Sequence, residues 1–271
     1  MGVYAIGDVH GCLPTLKKMC EYLALGSQDR IYFLGDLVGK GGDSWGVVDF
    51  VRKLQGSHII LGNHDLTFLK DYYEHYRAQI LTDTRMRAYQ ALRKGSLAAW
   101  HANTDTLMVH AGIWPGWTLK DTLEYAAEVE RILRDDVLCA EYFFENFWGN
   151  ECKWCTEQVG WKRVRAIINI LTRMRMLNEK GEMNFSYTEG LPDGYKQGRP
   201  ITLGALELWP WFSIDRQLTC RRIVFGHWAR LAGASGNDNI INLDGGCVYG
   251  GELLALDCET GNRYCVQRVE R

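Results

Sequence analysis

Five short apolar runs in this chain each end in a turn of small and polar residues carrying Asp, Asn or His, and that pattern constrains the fold most. Val3-Tyr4-Ala5-Ile6 leads into Gly7-Asp8-Val9-His10-Gly11, Ile31-Tyr32-Phe33-Leu34 into Gly35-Asp36, and Ile59-Ile60-Leu61 into Gly62-Asn63-His64-Asp65. Leu107-Met108-Val109 leads into His110-Ala111-Gly112, and Ile223-Val224-Phe225 into Gly226-His227. Continuous apolar runs rich in β-branched and aromatic residues are the mark of central strands covered on both faces. Between the first three runs, Leu13, Leu16, Met19, Cys20 and Leu23, and then Val47, Val48, Phe50, Val51 and Leu54, recur at helical spacing. This βαβαβ order predicts a parallel core sheet with right-handed crossovers. Such sheets gather the polar side chains at their carboxyl ends in one crevice, so the five turns are expected to converge.

Residues 66–104 read as helical, and residues 117–217 as a long, helix-rich, aromatic insertion covering the crevice. Strand patterns resume at 222–225, 240–243, 252–256 and 263–266, separated by Gly-rich turns. These are expected to form a second sheet of short antiparallel strands. The 31 Lys and Arg against 33 Asp and Glu exclude a broadly basic nucleic-acid protein, so no DNA partner is expected. No apolar run approaches the roughly 18 residues of a membrane span. The N-terminal residues, with no basic segment or long apolar core, read as a strand already inside the fold, and a cytoplasmic protein is expected. Nine cysteines, an odd number at irregular spacing, fit reduced thiols better than a disulfide framework. Cys152-x-x-Cys155 has no second half at zinc-site spacing and reads as ordinary thiols.

Asp8, His10, Asp36, Asn63, His110 and His227 form a mixed carboxylate, imidazole and amide set. Without thiolates, such donors favour Mn, Fe, Co, Zn or Ni. Six ligands exceed what one tetrahedral ion takes, whereas a carboxylate can bridge two ions about 3.5–4 Å apart, so the set suits a binuclear centre. One turn of this kind is a weak signal, but five after five apolar runs are hard to obtain from structural needs alone. Four of the five runs end in Gly, which fits positions where a strand must turn abruptly and approach closely.

Gly7-Asp8-Val9-His10-Gly11, Gly35-Asp36-Leu37-Val38-Gly39-Lys40-Gly41 and Gly62-Asn63-His64-Asp65 resemble the three signatures of the calcineurin-like phosphoprotein-phosphatase superfamily. His110-Ala111-Gly112-Ile113, Thr172-Arg173-Met174-Arg175, Phe225-Gly226-His227-Trp228-Ala229 and the segment 243–251 make the chain most similar to the bacterial symmetrical diadenosine tetraphosphate hydrolases. The resemblance implies an α/β sandwich of two mixed sheets flanked by helices, as one domain over 1–271 with the 117–217 insertion within it. It implies that Asp8 and His10 bind one metal, Asp36 bridges, and Asn63, His110 and His227 bind the second. Two divalent ions, Mn²⁺ or Co²⁺ with Fe, Ni and Zn as alternatives, are the expected cofactors. His64 matches the family's general acid.

The implied reaction cuts diadenosine tetraphosphate into two ADP by attack of a hydroxide held between the metals, with His64 protonating the leaving phosphate. Other dinucleoside polyphosphates and nucleoside-tetraphosphate caps on RNA are the expected further substrates. Asp65 is open to two readings, steering the His64 imidazole or capping the helix that follows. The family has Arg where this chain has Lys40, which keeps the charge and loses the two-pronged grip on phosphate. Arg173 and Arg175 are the remaining phosphate-binding candidates, although their i, i+2 spacing would not put both on one helix face. A phosphoprotein phosphatase is the alternative reading, disfavoured by Gly39 and by Asp rather than Glu after Asn63-His64. A non-catalytic nucleotide sensor is a third, disfavoured because every expected ligand and His64 is present.

Overall fold

The computed structural model describes residues 1–136 and 142–270. Its first sheet contains β1 (Val3–Ile6), β2 (Arg30–Phe33) and β3 (Ser57–Ile59), all parallel and linked through α1 (Leu13–Tyr22) and α2 (Ser44–Lys53). The second holds β4 (Ala98–His101), β5 (Thr106–Val109), β10 (Arg222–Phe225) and β11 (Ile240–Asn242). A separate antiparallel sheet is formed by β6 (Met176–Asn178), β7 (Met183–Asn184), β8 (Ile201–Leu203) and β9 (Leu206–Pro210). The remaining strands, β12 (Asp244–Gly245), β13 (Glu252–Asp257) and β14 (Arg263–Gln267), extend the first sheet, whose order is β12-β13-β1-β2-β3 with β14 on β13.

The apolar runs are continuous because both faces of each central strand are buried, in alternation. Val3, Ala5, Tyr32 and Leu34 face Met108, Val224 and Ile241 in the layer between the two main sheets. Ile6, Ile31 and Phe33 point the other way, into a core with Leu16, Met19, Val47, Val48 and Val51 of α1 and α2. Leu107, Val109, Ile223 and Phe225 likewise face the outer core. The five runs are thus divided three and two between sheets, and the sandwich still brings their carboxyl ends to one edge.

Three expectations change. The stretch 66–104 is helical through α3 (Asn63–Asp71), α4 (Tyr73–Arg77) and α5 (Asp83–Arg93), but ends in β4, which pairs with β5 as a hairpin. Its apolar run, Leu97-Ala98-Ala99-Trp100, is rich in Ala, the strongest helix former, and so reads as a continuation of the helices before it. The strands from 222 onward do not make their own antiparallel sheet. β10 and β11 are parallel and join β5, while β13 and β14 pair antiparallel beside β1. The long return from Phe225 to Ile240 sets β11 parallel to β10, whereas a short turn closed by Gly261 and Asn262 on Asp257 folds β13 onto β14. Within 117–217, helices at Leu119–Arg134 and Gly160–Arg173 give way at Met176 to the third sheet, whose strands of two to five residues are too short to show a period.

No helix among the described residues is long and apolar enough to cross a membrane. The eight cysteines described, including Cys152 and Cys155, are free thiols; Cys139 lies outside the described residues. Met108, fully buried between the sheets, tests the sandwich. Met108→Ala should lower stability by about 2–5 kcal/mol in urea denaturation, the usual loss for a buried Met. A loss below about 1 kcal/mol would mean that the two sheets do not depend on this layer.

Candidate metal centre

Three of the expected ligands carry backbone strain themselves. His10, Asp36 and His227 have φ of 48°, 48° and 63°, the left-handed region that non-Gly residues rarely enter. Each is the residue at which a strand reverses sharply, so the turn itself projects the side chain over the sheet edge. Glycine provides close approach beside them. A Cβ on Gly62 would lie 2.1 Å from Asp36 Oδ1, and one on Gly226 would lie 2.0 Å from Asp8 Oδ1. The loops are laced together by backbone: the Asp36 carbonyl accepts from the N–H of Val9 (3.2 Å) and of His10 (2.7 Å).

Asp36 is central. Its carboxylate oxygens lie 3.5 Å from His10 Nε2 and 3.5 Å from His110 Nε2. Two groups of donor atoms share it: His10, Asp36 and His64 in one, and Asp36, His110 and His227 in the other, each with its atoms within 4.8 Å of one another. The second nitrogen of each expected ligand ring faces a backbone carbonyl. His10 Nδ1 is 3.0 Å from Val38 O, His110 Nδ1 is 2.7 Å from Leu34 O, and His227 Nε2 is 3.2 Å from Arg173 O. With one proton held on the carbonyl side, each ring turns its other nitrogen toward the centre, the orientation that metal-binding imidazoles use. Turned so that its nitrogen donates, the Asn63 amide reaches His227 Nδ1 at 3.0 Å and the Thr172 carbonyl at 3.1 Å. Asp8 stands outside both groups; its two oxygens accept the His227 N–H at 3.1 and 3.2 Å.

Electrostatics demand positive charge here. Burial raises the Asp8 pKa well above the usual carboxylate range, and neighbouring Asp244 and Asp36 add to it. Burial also pushes Asp244 up to about 6 and Asp65 up to about 7, with Asp36 contributing to both. Asp36 is itself held below the ordinary range: burial opposes its ionisation, and the His110, His10 and His64 rings outweigh burial. His10 is lowered to about 4 by burial against the pull of Asp36, while His110, despite burial, is raised to about 10 by Asp36 and Asp8. Crowded buried carboxylates with oriented nitrogen donors and no thiolate fit hard or borderline divalent cations.

Residues 1–231 match the calcineurin-like phosphoesterase family model. The chain is 37% identical to a symmetrical bis(5'-nucleosyl)-tetraphosphatase of Pseudomonas fluorescens (strain Pf0-1), an alignment covering 97% of this chain and 90% of that protein. It is 36% identical to a protein of the same description from Aromatoleum aromaticum, covering 96% and 94%. The chain belongs to the symmetrical bis(5'-nucleosyl)-tetraphosphatase family of calcineurin-like phosphoesterases. A crystal structure assigned to a diadenosine tetraphosphatase aligns over all of this chain and 95% of its own, with a TM-score of 0.64 at 23% identity. A protein serine/threonine phosphatase from Saccharomyces cerevisiae aligns over all of this chain and 81% of its own, with a TM-score of 0.53 at 13% identity. These two share the fold.

Above the centre lies a cavity of about 640 Å³, lined by His10, Asp36, Asn63, His64 and His227 at its base and by Lys40, Arg175 and Arg230 among its walls. Arg175 donates to the His227 carbonyl at 3.1 Å, while its buried Nε has no protein partner. Arg173, in contrast, does not line this cavity. Its guanidinium packs against Trp148 and Phe185 and donates to Gly149 O, Asn169 Oδ1 and Asn150 Oδ1. The helix ends at Arg173 and the chain is extended at Met174, so the two arginines diverge, and of the two only Arg175 lines the cavity. Of the two readings of Asp65, its hydrogen bonds are those of the helix-capping one. The residue is fully buried, and its carboxylate accepts from Gly62 N (2.9 Å) and Val38 N (3.3 Å), capping α3 and tying two loops together. Residue-by-residue reading missed Asp244, Tyr249, Arg230, Thr188 and Glu189 of the cavity wall. Asp244 and Tyr249 lay within the 243–251 segment that carried the resemblance; nothing in the sequence singled out the others.

Two substitutions separate these roles. Asp36→Asn removes charge from the shared ligand, and bound metal and turnover should fall together by elemental analysis and assay. Two metals retained per chain would contradict the shared role. Asp65→Ala leaves two buried N–H groups without an acceptor and should lower stability by about 1–3 kcal/mol in denaturant titration. Unchanged stability with an altered pH–rate profile would return Asp65 to the imidazole.

Proposed function

We propose that this chain hydrolyses diadenosine tetraphosphate between its second and third phosphates to two ADP, with two divalent cations, Mn²⁺ or Co²⁺ foremost. The observation that carries this reading is the set of three carbonyl-anchored imidazoles converging on Asp36 beneath a cavity with cationic walls. The full-length likeness to proteins named symmetrical bis(5'-nucleosyl)-tetraphosphatase supports the substrate. Other dinucleoside polyphosphates and nucleoside-tetraphosphate RNA caps present the same anhydride chain and are further substrates on this reading. The free thiols support a reducing, cytoplasmic setting.

Asp8 and His10 would hold one cation and Asn63, His110 and His227 the other, with Asp36 shared. The bound pair supplies an acidified water and neutralises phosphate charge. The remaining work falls to side chains. Arg175, with its unpartnered Nε, and Lys40 grip phosphates flanking the scissile bond. As the new P–O bond forms and the bridging P–O bond breaks, the His64 imidazole gives its proton to the departing phosphate oxygen. His64 is half-buried beside the His10 ring, with centroids 4.8 Å apart. Burial lowers its pKa, and Asp36 pulls the other way. The entering polyanion adds negative charge that favours the imidazolium, so the substrate itself helps to arm the acid.

Incubating purified protein with Mn²⁺ and each substrate tests the reading: ADP as sole nucleotide product of diadenosine tetraphosphate is expected. Phosphate release from a phosphopeptide with no ADP would replace it with the phosphoprotein phosphatase, and binding without turnover with the nucleotide sensor. His64→Ala should slow kcat by roughly 10²–10⁴-fold while retaining metal. Retained metal with unchanged kcat would remove His64 from proton transfer.

A further inference from the structure

The cavity above the centre is walled by imidazoles, carboxylates, cations and backbone, with one large aromatic ring among them. Tyr249 lines the cavity and is 64% exposed; among the described Tyr, Trp and Phe residues only Tyr22, Trp100 and Tyr142 are exposed besides it, and none of those lines the cavity. It sits in a tight turn between Gly246 (φ 68°) and Gly250 (φ 92°), and a Cβ at Gly250 would meet nothing within 4 Å. The 64% exposure of Tyr249 leaves its ring open to the cavity. Among the described residues no tryptophan lines this cavity, so the Trp-rich 117–217 segment does not supply an aromatic wall here. Lys40 meets the Tyr249 ring at its edge. Its ammonium donates to the Tyr249 hydroxyl and lies 4.7 Å from the ring centroid.

An open aromatic ring, anchored at its polar end by a cation that also lines an anion-binding cavity, fits one ligand chemistry: a flat heteroaromatic base joined to phosphates. We infer that Tyr249 is the stacking surface for one nucleobase of the substrate, with Lys40 taking the adjoining phosphate. The inference rests on the nucleotide reading of the site and adds the residue that recognises the base. Lys at position 40 suits this role. A compact ammonium bonds the hydroxyl and leaves the ring face uncovered, whereas a planar guanidinium stacks flat on aromatic faces and would compete with the base. Because every base has a π-face, stacking of this kind tolerates different nucleobases.

The test reads binding without turnover. Metal-loaded wild type, Tyr249→Ala, Tyr249→Phe and Tyr249→Trp are titrated calorimetrically with ADP and, separately, with pyrophosphate, which lacks the base. Tyr249→Ala should weaken ADP about tenfold and pyrophosphate by a clearly smaller factor, while Tyr249→Phe and Tyr249→Trp keep most of the ADP affinity. Equal losses for ADP and pyrophosphate in Tyr249→Ala would overturn the inference, because the ring would then act only through Lys40. So would a Tyr249→Phe loss as large as that of Tyr249→Ala, which would assign the effect to the hydroxyl. A wild type that fails to split diadenosine tetraphosphate overturns the proposed hydrolysis but leaves this comparison readable, so the two failures are distinguishable.

Discussion

The Asp36 carboxylate is the interaction on which the rest of the site depends. It stands between His10 and His110, and its Oδ1 accepts the His64 N–H at 2.9 Å. Its own carbonyl holds the loop after β1. One residue thereby joins the turns after β1, β2, β3 and β5, which come from both main sheets. The left-handed backbone at Asp36 and the bare Cα of Gly62 beside it are what allow the carboxylate to occupy that point. Strain of this kind, of order 1–3 kcal/mol per residue, persists only where surrounding structure over-determines it. The two buried layers of the sandwich provide that.

The same arrangement makes the metal-free centre electrostatically uncomfortable. Asp8, Asp36, Asp65 and Asp244 are all buried within one small region, and three of them are raised above the ordinary carboxylate range. Groups that resist ionisation together are stabilised by cations that they can share. Binding to the native state alone also stabilises it by mass action, so the fold gains from loading the centre. A near-zero net charge for the chain thus coexists with a concentrated local imbalance.

The convergence of the five turns was legible in the sequence because one physical requirement, a strand end that bends abruptly and presents a polar side chain, repeats five times with the same residue types. What escaped has equally physical reasons. β4 follows a long helical stretch and its apolar run, Leu97-Ala98-Ala99-Trp100, is Ala-rich, so composition points to helix until the pairing with β5 is seen. The pairing partners of β10, β11, β13 and β14 depend on how long each connection is and where an open strand edge waits, neither of which periodicity records. Arg173 and Arg175 are alike in sequence, and only the end of the helix between them separates the packed guanidinium from the one with an unpartnered nitrogen. The positive φ at His10, Asp36 and His227 is the reverse of the usual expectation that glycine takes such positions. Here the ligands accept the strain, and part of the neighbouring glycine supplies room.

Chemistry and selectivity are written into different parts of the chain. The metal donors sit on the five strand-end turns, which belong to the sandwich shared with a serine/threonine phosphatase of only 13% identity. Much of the cavity wall comes from elsewhere: Arg175, Thr188 and Glu189 from the segment between β5 and β10, and Asp244, Gly245, Gly246, Tyr249 and Gly251 from the turns before β13, while Ala229 and Arg230 follow the His227 turn. Lys40, four residues after the donor Asp36, reaches across to Tyr249. A sandwich that fixes two cations near a water can attack many phosphate esters and anhydrides. Which one it attacks is decided by what the walls can grip, and here the walls offer separated cations and one open ring. Changes in those later segments can therefore redirect the enzyme among phosphate substrates while the strained turns and shared carboxylate of the candidate metal centre stay as they are.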